Sequence, residues 1–278
     1  MKSNSNDMKY FLMWVAGIMM VTAANAADVD TVAVPSAAMD KTIKTVVITP
    51  KDYGNLNALP VVYLLHGYSG NYADWVNKAP NIKDLADRYR MIIVCPDGGF
   101  GSWYWDSPVD PAFKYETFVG KELVEWVDAN YKTIKGRNGR AITGLSMGGH
   151  GALYLALRHQ DVFGAAGSTA GGVDIRPFPL NWDMAKRLGS YAEYPERWES
   201  HTVTNLTHLL TPNALALIID CGTGDFFYRV NEQLHEKLLD RNIPHVYITG
   251  PGGHDWSYWR KSIPYQLHFF HEFFSGLH

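Results

Sequence analysis

Residues 140–159 read RAITGLSMGGHGALYLALRH. The first part, Arg140–Gly144, is a short strand-like run, and the last part, Gly148–His159, is rich in Ala and Leu at helical spacing. Between them lies Gly144-Leu145-Ser146-Met147-Gly148, a G-x-S-x-G pattern. A strand that enters a helix through a glycine-flanked serine is the geometry of a nucleophile elbow. Glycines are needed on both sides because a side chain there would strike the neighbouring strand or helix. Ser146 then projects from the turn at a helix N-terminus, where the helix dipole favours negative charge. The bare five-residue pattern is weak; the strand and helix around it give it force.

Outward from the elbow, short apolar runs alternate with helical patterns. Ile43–Thr49, Val61–Leu65, Met91–Cys95, Phe163–Thr169, Leu215–Asp220 and His245–Thr249 read as strands. Ile82–Arg88, Thr117–Tyr131, Val230–Arg241 and Tyr265–Phe274 read as helices. Phe118, Leu123, Trp126 and Val127 share one face of the second of these. Strands of this kind, apolar throughout and separated by helices, predict an α/β chain with a mostly parallel sheet covered on both faces. In such sheets the chemistry collects beyond the carboxyl ends of the strands. Residues 174–212 break the alternation with Pro, Trp and Glu and no clear strand. They read as an excursion over the sheet that helps to form a substrate cleft.

Composition agrees with one α/β domain. The 278 residues are 46% hydrophobic and 19% charged, which excludes a disordered chain. Lys+Arg is 25 against Asp+Glu 28, a net charge of −3, so a nucleic-acid partner is not expected. Cys95 and Cys221 are too few for a disulfide scaffold or a multi-cysteine zinc module. At the N-terminus, Lys2 and Lys9 precede the apolar run 11–23, and Ala24-Asn25-Ala26 follows. This is the pattern of a secretory signal peptide over residues 1–26, with cleavage after Ala26, and Met8 is an alternative start. The run is shorter than the ~20 residues of a membrane-spanning helix. The expected product is an exported domain, residues 27–278, without membrane insertion.

A serine hydroxyl needs a base, and in this architecture the chain order is Ser, then Asp or Glu, then His. His254 is the best placed of eleven histidines, because Gly250-Pro251-Gly252-Gly253 lets it return over the sheet after a strand. His235 falls in a helix and His245 at a strand start. Asp225, in the loop Cys221-Gly222-Thr223-Gly224-Asp225, is the expected acid, with Asp220, still in the strand, as the alternative. Met147, which follows the nucleophile, and Tyr68, in the loop His66-Gly67-Tyr68-Ser69-Gly70, supply the backbone N–H groups of an oxyanion hole. His66 precedes the serine and reads as a brace for that loop. His268, His271 and Glu272 have metal-ligand spacing, but the phenylalanines around them indicate a docking helix. No nucleotide-binding motif is present, so neither cofactor nor metal is expected.

Tyr63-Leu64-Leu65-His66-Gly67, the elbow, Gly222-Thr223-Gly224-Asp225 and Gly253-His254-Asp255-Trp256, taken in order, resemble the esterase D-like branch of the α/β-hydrolases. That branch holds feruloyl and acetylxylan esterases of carbohydrate esterase family 1, S-formylglutathione hydrolases and mycolyltransferases. Gly101–Pro108 and Leu188–Trp198 also resemble it. The resemblance implies an eight-stranded, mostly parallel sheet, a Ser146–His254–Asp225 triad and oxyanion donors at Tyr68 and Met147. It also implies that Cys95 and Cys221 end strands that are not neighbours and stay unpaired. Aromatics on the loops above the strand ends suit phenolic rings and sugar faces. Trp75, Trp103, Tyr104, Phe226 and Trp256 are the expected substrate contacts, with Tyr72, Phe100, Phe227 and Trp259 nearby. The expected substrate is a feruloyl ester of a plant cell-wall fragment, with acetyl esters second.

Overall fold

The computed structural model describes residues 27–277. The predicted signal peptide lies outside them. Eight strands form one sheet in the order β1-β2-β4-β3-β5-β6-β7-β8. They are β1 (Asp28–Ser36), β2 (Lys41–Thr49), β3 (Val61–Leu65), β4 (Ile92–Pro96), β5 (Arg140–Gly144), β6 (Ala165–Thr169), β7 (Ala216–Gly222) and β8 (Val246–Gly250). β2 runs antiparallel to both β1 and β4, and every pairing from β4 to β8 is parallel. β3, β4, β5 and β6 are buried at every residue, which is why they read as unbroken apolar or small-residue runs.

Ten helices cover the sheet: α1 (Asp74–Lys78), α2 (Ile82–Tyr89), α3 (Tyr115–Thr117), α4 (Leu123–Asn130), α5 (Met147–Arg158), α6 (Met184–Leu188), α7 (Pro195–His201), α8 (Val203–Leu206), α9 (Tyr228–Asp240) and α10 (Trp256–Phe274). Two buried layers result. α4, α5, α8 and α9 pack on one face with Tyr63, Leu65, Ile142 and Ile219 of the sheet. α1, α2 and α10 pack on the other with Val62, Leu64, Ile93 and Ile218. Neighbouring strand residues thus serve opposite layers, as the period of two demands.

The structure departs from the sequence reading in three places. β1 is an added edge strand; its outer residues are exposed on both sides, so no apolar run announces it. The predicted helix 117–131 is α3 and α4 joined by a wider π-helical turn at Phe118–Glu122. The C-terminal helix starts at Trp256, nine residues before the predicted Tyr265, and holds Pro264 in its interior. Asp255 starts it, with Oδ1 accepting the N–H groups of Ser257 at 2.7 Å and Tyr258 at 3.1 Å. Residues 174–212 form the expected excursion, built from α6, α7 and α8 without a strand. Cys95 and Cys221 are free and buried, and burial pushes both thiols up from their ordinary range. No helix among the described residues is long and apolar enough to cross a membrane.

Candidate active site

Ser146 sits between β5 and α5 with φ 54° and ψ −118°, a backbone conformation that a non-glycine residue rarely adopts. The elbow is held there from both sides. The Leu145 N–H donates to the Leu65 carbonyl at 3.3 Å and the Ser146 N–H to the Thr169 carbonyl at 3.0 Å. Glycine is required at both flanks: a methyl on Gly144 would lie 2.6 Å from the Gly148 carbonyl carbon, and one on Gly148 2.5 Å from the Leu65 oxygen. Backbone cannot yield to such contacts, so the strained turn is fixed by its neighbours.

His254 reaches this turn from the loop after β8. Its Nε2 lies 2.8 Å from Ser146 Oγ and its Nδ1 2.7 Å from Asp225 Oδ2. Asp225, from the loop after β7, has a fully buried side chain, and its Oδ1 accepts the Phe227 N–H at 2.8 Å. An acid so placed accepts the Nδ1 proton and leaves Nε2 free to accept the serine proton. Asp220, the alternative acid, faces the layer of α10, where the Ser262 and Tyr258 hydroxyls are the polar groups beside it, and it takes no part in this chain of bonds.

The loop after β3 faces the serine. Ser69 N–H donates to Phe100 O at 2.8 Å and Gly70 N–H to Gly67 O at 3.0 Å, so the chain on the C-terminal side of Tyr68 is fixed. Met147 opens α5, and its N–H is one of those that a helix start leaves without an intrahelical partner. His66 ties two loops together: its Nε2 accepts the Gly98 N–H at 2.7 Å, and its Nδ1 donates to Gly67 O at 2.8 Å.

Above Ser146 opens a cleft of about 410 Å³. One wall is aromatic. Trp182 and Phe226 stack at 5.6 Å and 19°, and the Phe226 ring lies 4.2 Å from that of His254. The other wall carries Asp74, Lys78, Asp255 and Trp256, with the Lys78 ammonium 3.0 Å from Asp74 and 5.3 Å from the Trp256 ring.

Of the five expected substrate contacts, Phe226 and Trp256 line the cleft. The other three are corrected by burial: Trp75, Trp103 and Tyr104 are at most 1% exposed and act from beneath. Trp75 donates its indole N–H to Leu65 O at 3.1 Å and backs Trp256 edge-on at 5.1 Å. Trp103 donates to Trp182 O at 3.0 Å. Tyr104 donates its hydroxyl to His66 O at 3.0 Å. Trp182 is the aromatic that the sequence reading missed. It lies in the excursion, where no strand end marks it, and only the density of tryptophans there hints at it.

A mostly parallel sheet with a strained serine elbow and a Ser–His–Asp chain of hydrogen bonds defines an α/β-hydrolase of the serine type. The family model described as "Putative esterase" matches residues 36–270, and the chain belongs to that esterase family, in its esterase D-like branch, and is a carboxylic ester hydrolase. An acetyl esterase of Caldicellulosiruptor saccharolyticus is 31% identical over 230 residues, covering 77% of this chain and 83% of that protein. The diacylglycerol acyltransferase/mycolyltransferase Ag85B of Mycobacterium leprae is 36% identical over 269 residues, covering 83% and 79%. Among solved structures, a ferulic acid esterase superposes with a TM-score of 0.78 at 27% identity, over 90% of this chain and 99% of that one.

Proposed function

We propose that the protein is an exported serine esterase that cleaves feruloyl and related hydroxycinnamoyl esters of plant cell-wall fragments. The 2.8 Å approach of His254 Nε2 to Ser146 Oγ carries the reading. His254 takes the Ser146 proton as Oγ attacks the ester carbonyl. The Tyr68 and Met147 N–H groups hold the oxyanion, and Asp225 steadies the imidazolium. His254 then protonates the departing alcohol, leaving an acyl-serine. Water activated by His254 releases the acid and restores the serine.

Two observations support the choice of acyl group. The stacked Trp182 and Phe226 rings offer a flat apolar seat beside the base, suited to a phenolic ring. The facing wall of Asp74, Lys78 and Trp256 pairs charged hydrogen-bonding groups with an indole, which suits a sugar alcohol. The ferulic acid esterase with the same fold agrees with this reading. The acetyl esterase relative supports acetyl esters as the second reading. Export rests on the pattern of residues 1–26.

A panel of methyl ferulate, methyl p-coumarate, acetylated xylan and S-formylglutathione tests the substrate, with S146A as the blank. Removing the nucleophile should lower turnover at least ~10³-fold. Turnover retained in S146A refutes the mechanism. A wild type that prefers acetylated xylan or the thioester refutes the feruloyl assignment.

A further inference from the structure

Beside the site lie two polar groups that the mechanism above leaves unused, Asp220 and Tyr258. On β7, Asp220 shares the face of Ile218 and so points into the layer of α10. It is 2% exposed, its Oδ1 has no hydrogen-bond partner, and the Ser262 and Tyr258 hydroxyls are the polar groups beside its carboxyl. Tyr258 stands in the first turn of α10, and its ring is wedged against the two loops that present the acid and the base. A methyl on Gly252 would fall 2.1 Å from Cδ2 of that ring, and one on Gly222 would fall 3.2 Å from Cε2. The loops also touch each other. Thr223 N–H donates to Gly250 O at 2.9 Å and Gly224 N–H to Gly252 O at 2.8 Å, while a methyl on Gly222 would strike the Gly252 oxygen at 2.5 Å. Gly222 lies three residues before Asp225, and Gly252 two before His254.

We infer that Tyr258, anchored through its hydroxyl to Asp220, is a positioning residue that sets the separation of Asp225 and His254. The inference rests on His254 being the base of the proposed reaction. The ring is a rigid spacer that both loops rest on, and the buried carboxyl holds it at a fixed depth. Misplacing a reacting group by about 1 Å can cost ~10²-fold in rate.

The anchor also responds to pH. Burial pushes the Asp220 carboxyl up to about 7. The titratable and polar groups that face it are Tyr258 and Ser262 from α10, Tyr247 from β8, and Cys221 and Asp225 from its own strand and loop. As a carboxylate it accepts the Tyr258 proton in a charge-assisted bond, and protonation weakens that bond.

Wild type, Y258F and D220N are compared by kcat and KM on an ester across pH 5–9, and by the low-field proton resonance of the His254–Asp225 hydrogen bond. Y258F should lower kcat about tenfold or more with KM within about twofold, and should shift or broaden the resonance, as loss of positioning requires. D220N should give a smaller loss, and because the base His254 is common to both proteins, the pH dependence of the wild-type-to-D220N ratio of kcat reports the Asp220 anchor. A merely structural role would lower the melting temperature and leave the resonance where it is. An unchanged kcat and resonance in both variants overturns the inference; if Y258F does not fold, D220N decides by the same criteria. The resonance needs no turnover, so a wild type inactive on esters would sink the esterase reading while the positioning test still stands.

Discussion

The Trp105 indole N–H donates to His150 Nε2 at 2.9 Å, one helical turn beyond the nucleophile. The His150 imidazole in turn donates its Nδ1 proton to Gly172 O at 2.8 Å, so both of its nitrogens are engaged and the neutral tautomer is fixed. Burial drives the pKa from 6.5 down to about 3. The unfolded chain therefore binds this proton when the folded one does not. Stability from the neutral ring is complete above pH 6.5 and is lost as pH falls toward 3, at up to about 1.4 kcal/mol per unit. In H150Q the acid-side fall in stability should be shallower by one proton, although the variant starts less stable at pH 8. Denaturant melts at pH 8, 6 and 5 check this; a slope equal to that of wild type contradicts it.

Such a residue also shows where sequence reading runs out. Ser146, His254 and Asp225 could be placed because each follows a strand and sits among glycines, and strand ends are where a parallel sheet exposes chemistry. His150 is embedded in an Ala- and Leu-rich helix, and its partners, Trp105 and Gly172, come from two other segments. No local pattern joins them. Trp103 and Tyr104 show the converse error. Their loop follows β4, as a cleft loop should, yet both have positive φ and turn inward, which aromatic content alone cannot reveal. β1 was illegible because Asp28–Thr31 are exposed on both faces and only Val32, Val34 and Ser36 turn inward, too short an alternation to stand out.

Asp225 fixes the imidazole by accepting its Nδ1 proton at 2.7 Å. In D225N the amide can instead donate to Nδ1, which moves the ring proton to Nε2 and deprives Ser146 of its acceptor. Turnover should fall by ~10⁴-fold at neutral pH while KM changes little. Fluorophosphonate labelling of Ser146 should slow in parallel. Steady-state kinetics and labelling rates check this, and a loss under tenfold would contradict the assignment of Asp225.

Cys95 is the next-to-last residue of β4 and Cys221 that of β7, with β3, β5 and β6 between those strands. Four strand spacings of ~4.8 Å separate them by roughly 19 Å, far beyond disulfide reach. Both thiols are buried and have their pKa raised, so the folded protein should react with neither a thiol reagent nor an oxidant. Two thiols should appear on denaturation, and dithiothreitol should leave the melting temperature unchanged. Fewer than two titrated thiols in the denatured, unreduced protein would show that a bond had formed.

The aromatic wall makes the sharpest claim about substrate. Phe226 is half exposed, stacks on Trp182 and covers the His254 ring, so a phenolic acyl group entering the cleft would meet two aligned rings. An aromatic pair contributes ~0.5–1.5 kcal/mol beyond its buried area, so with the area itself F226A should lose about tenfold or more in kcat/KM for methyl ferulate. Ethyl acetate has no ring to stack, and the loss on it reports only disturbance of His254. The ratio of the two substrates isolates the stacking. W103F tests the support beneath: it replaces the buried indole by a smaller phenyl ring and deletes the N–H that holds Trp182 O at 3.0 Å. The same ratio should move in the same direction by a few-fold, as loss of one neutral hydrogen bond implies. A ratio that stays level in both variants would place the acyl group elsewhere, against the polar wall of Asp74 and Lys78, and would turn the assignment of the two walls around.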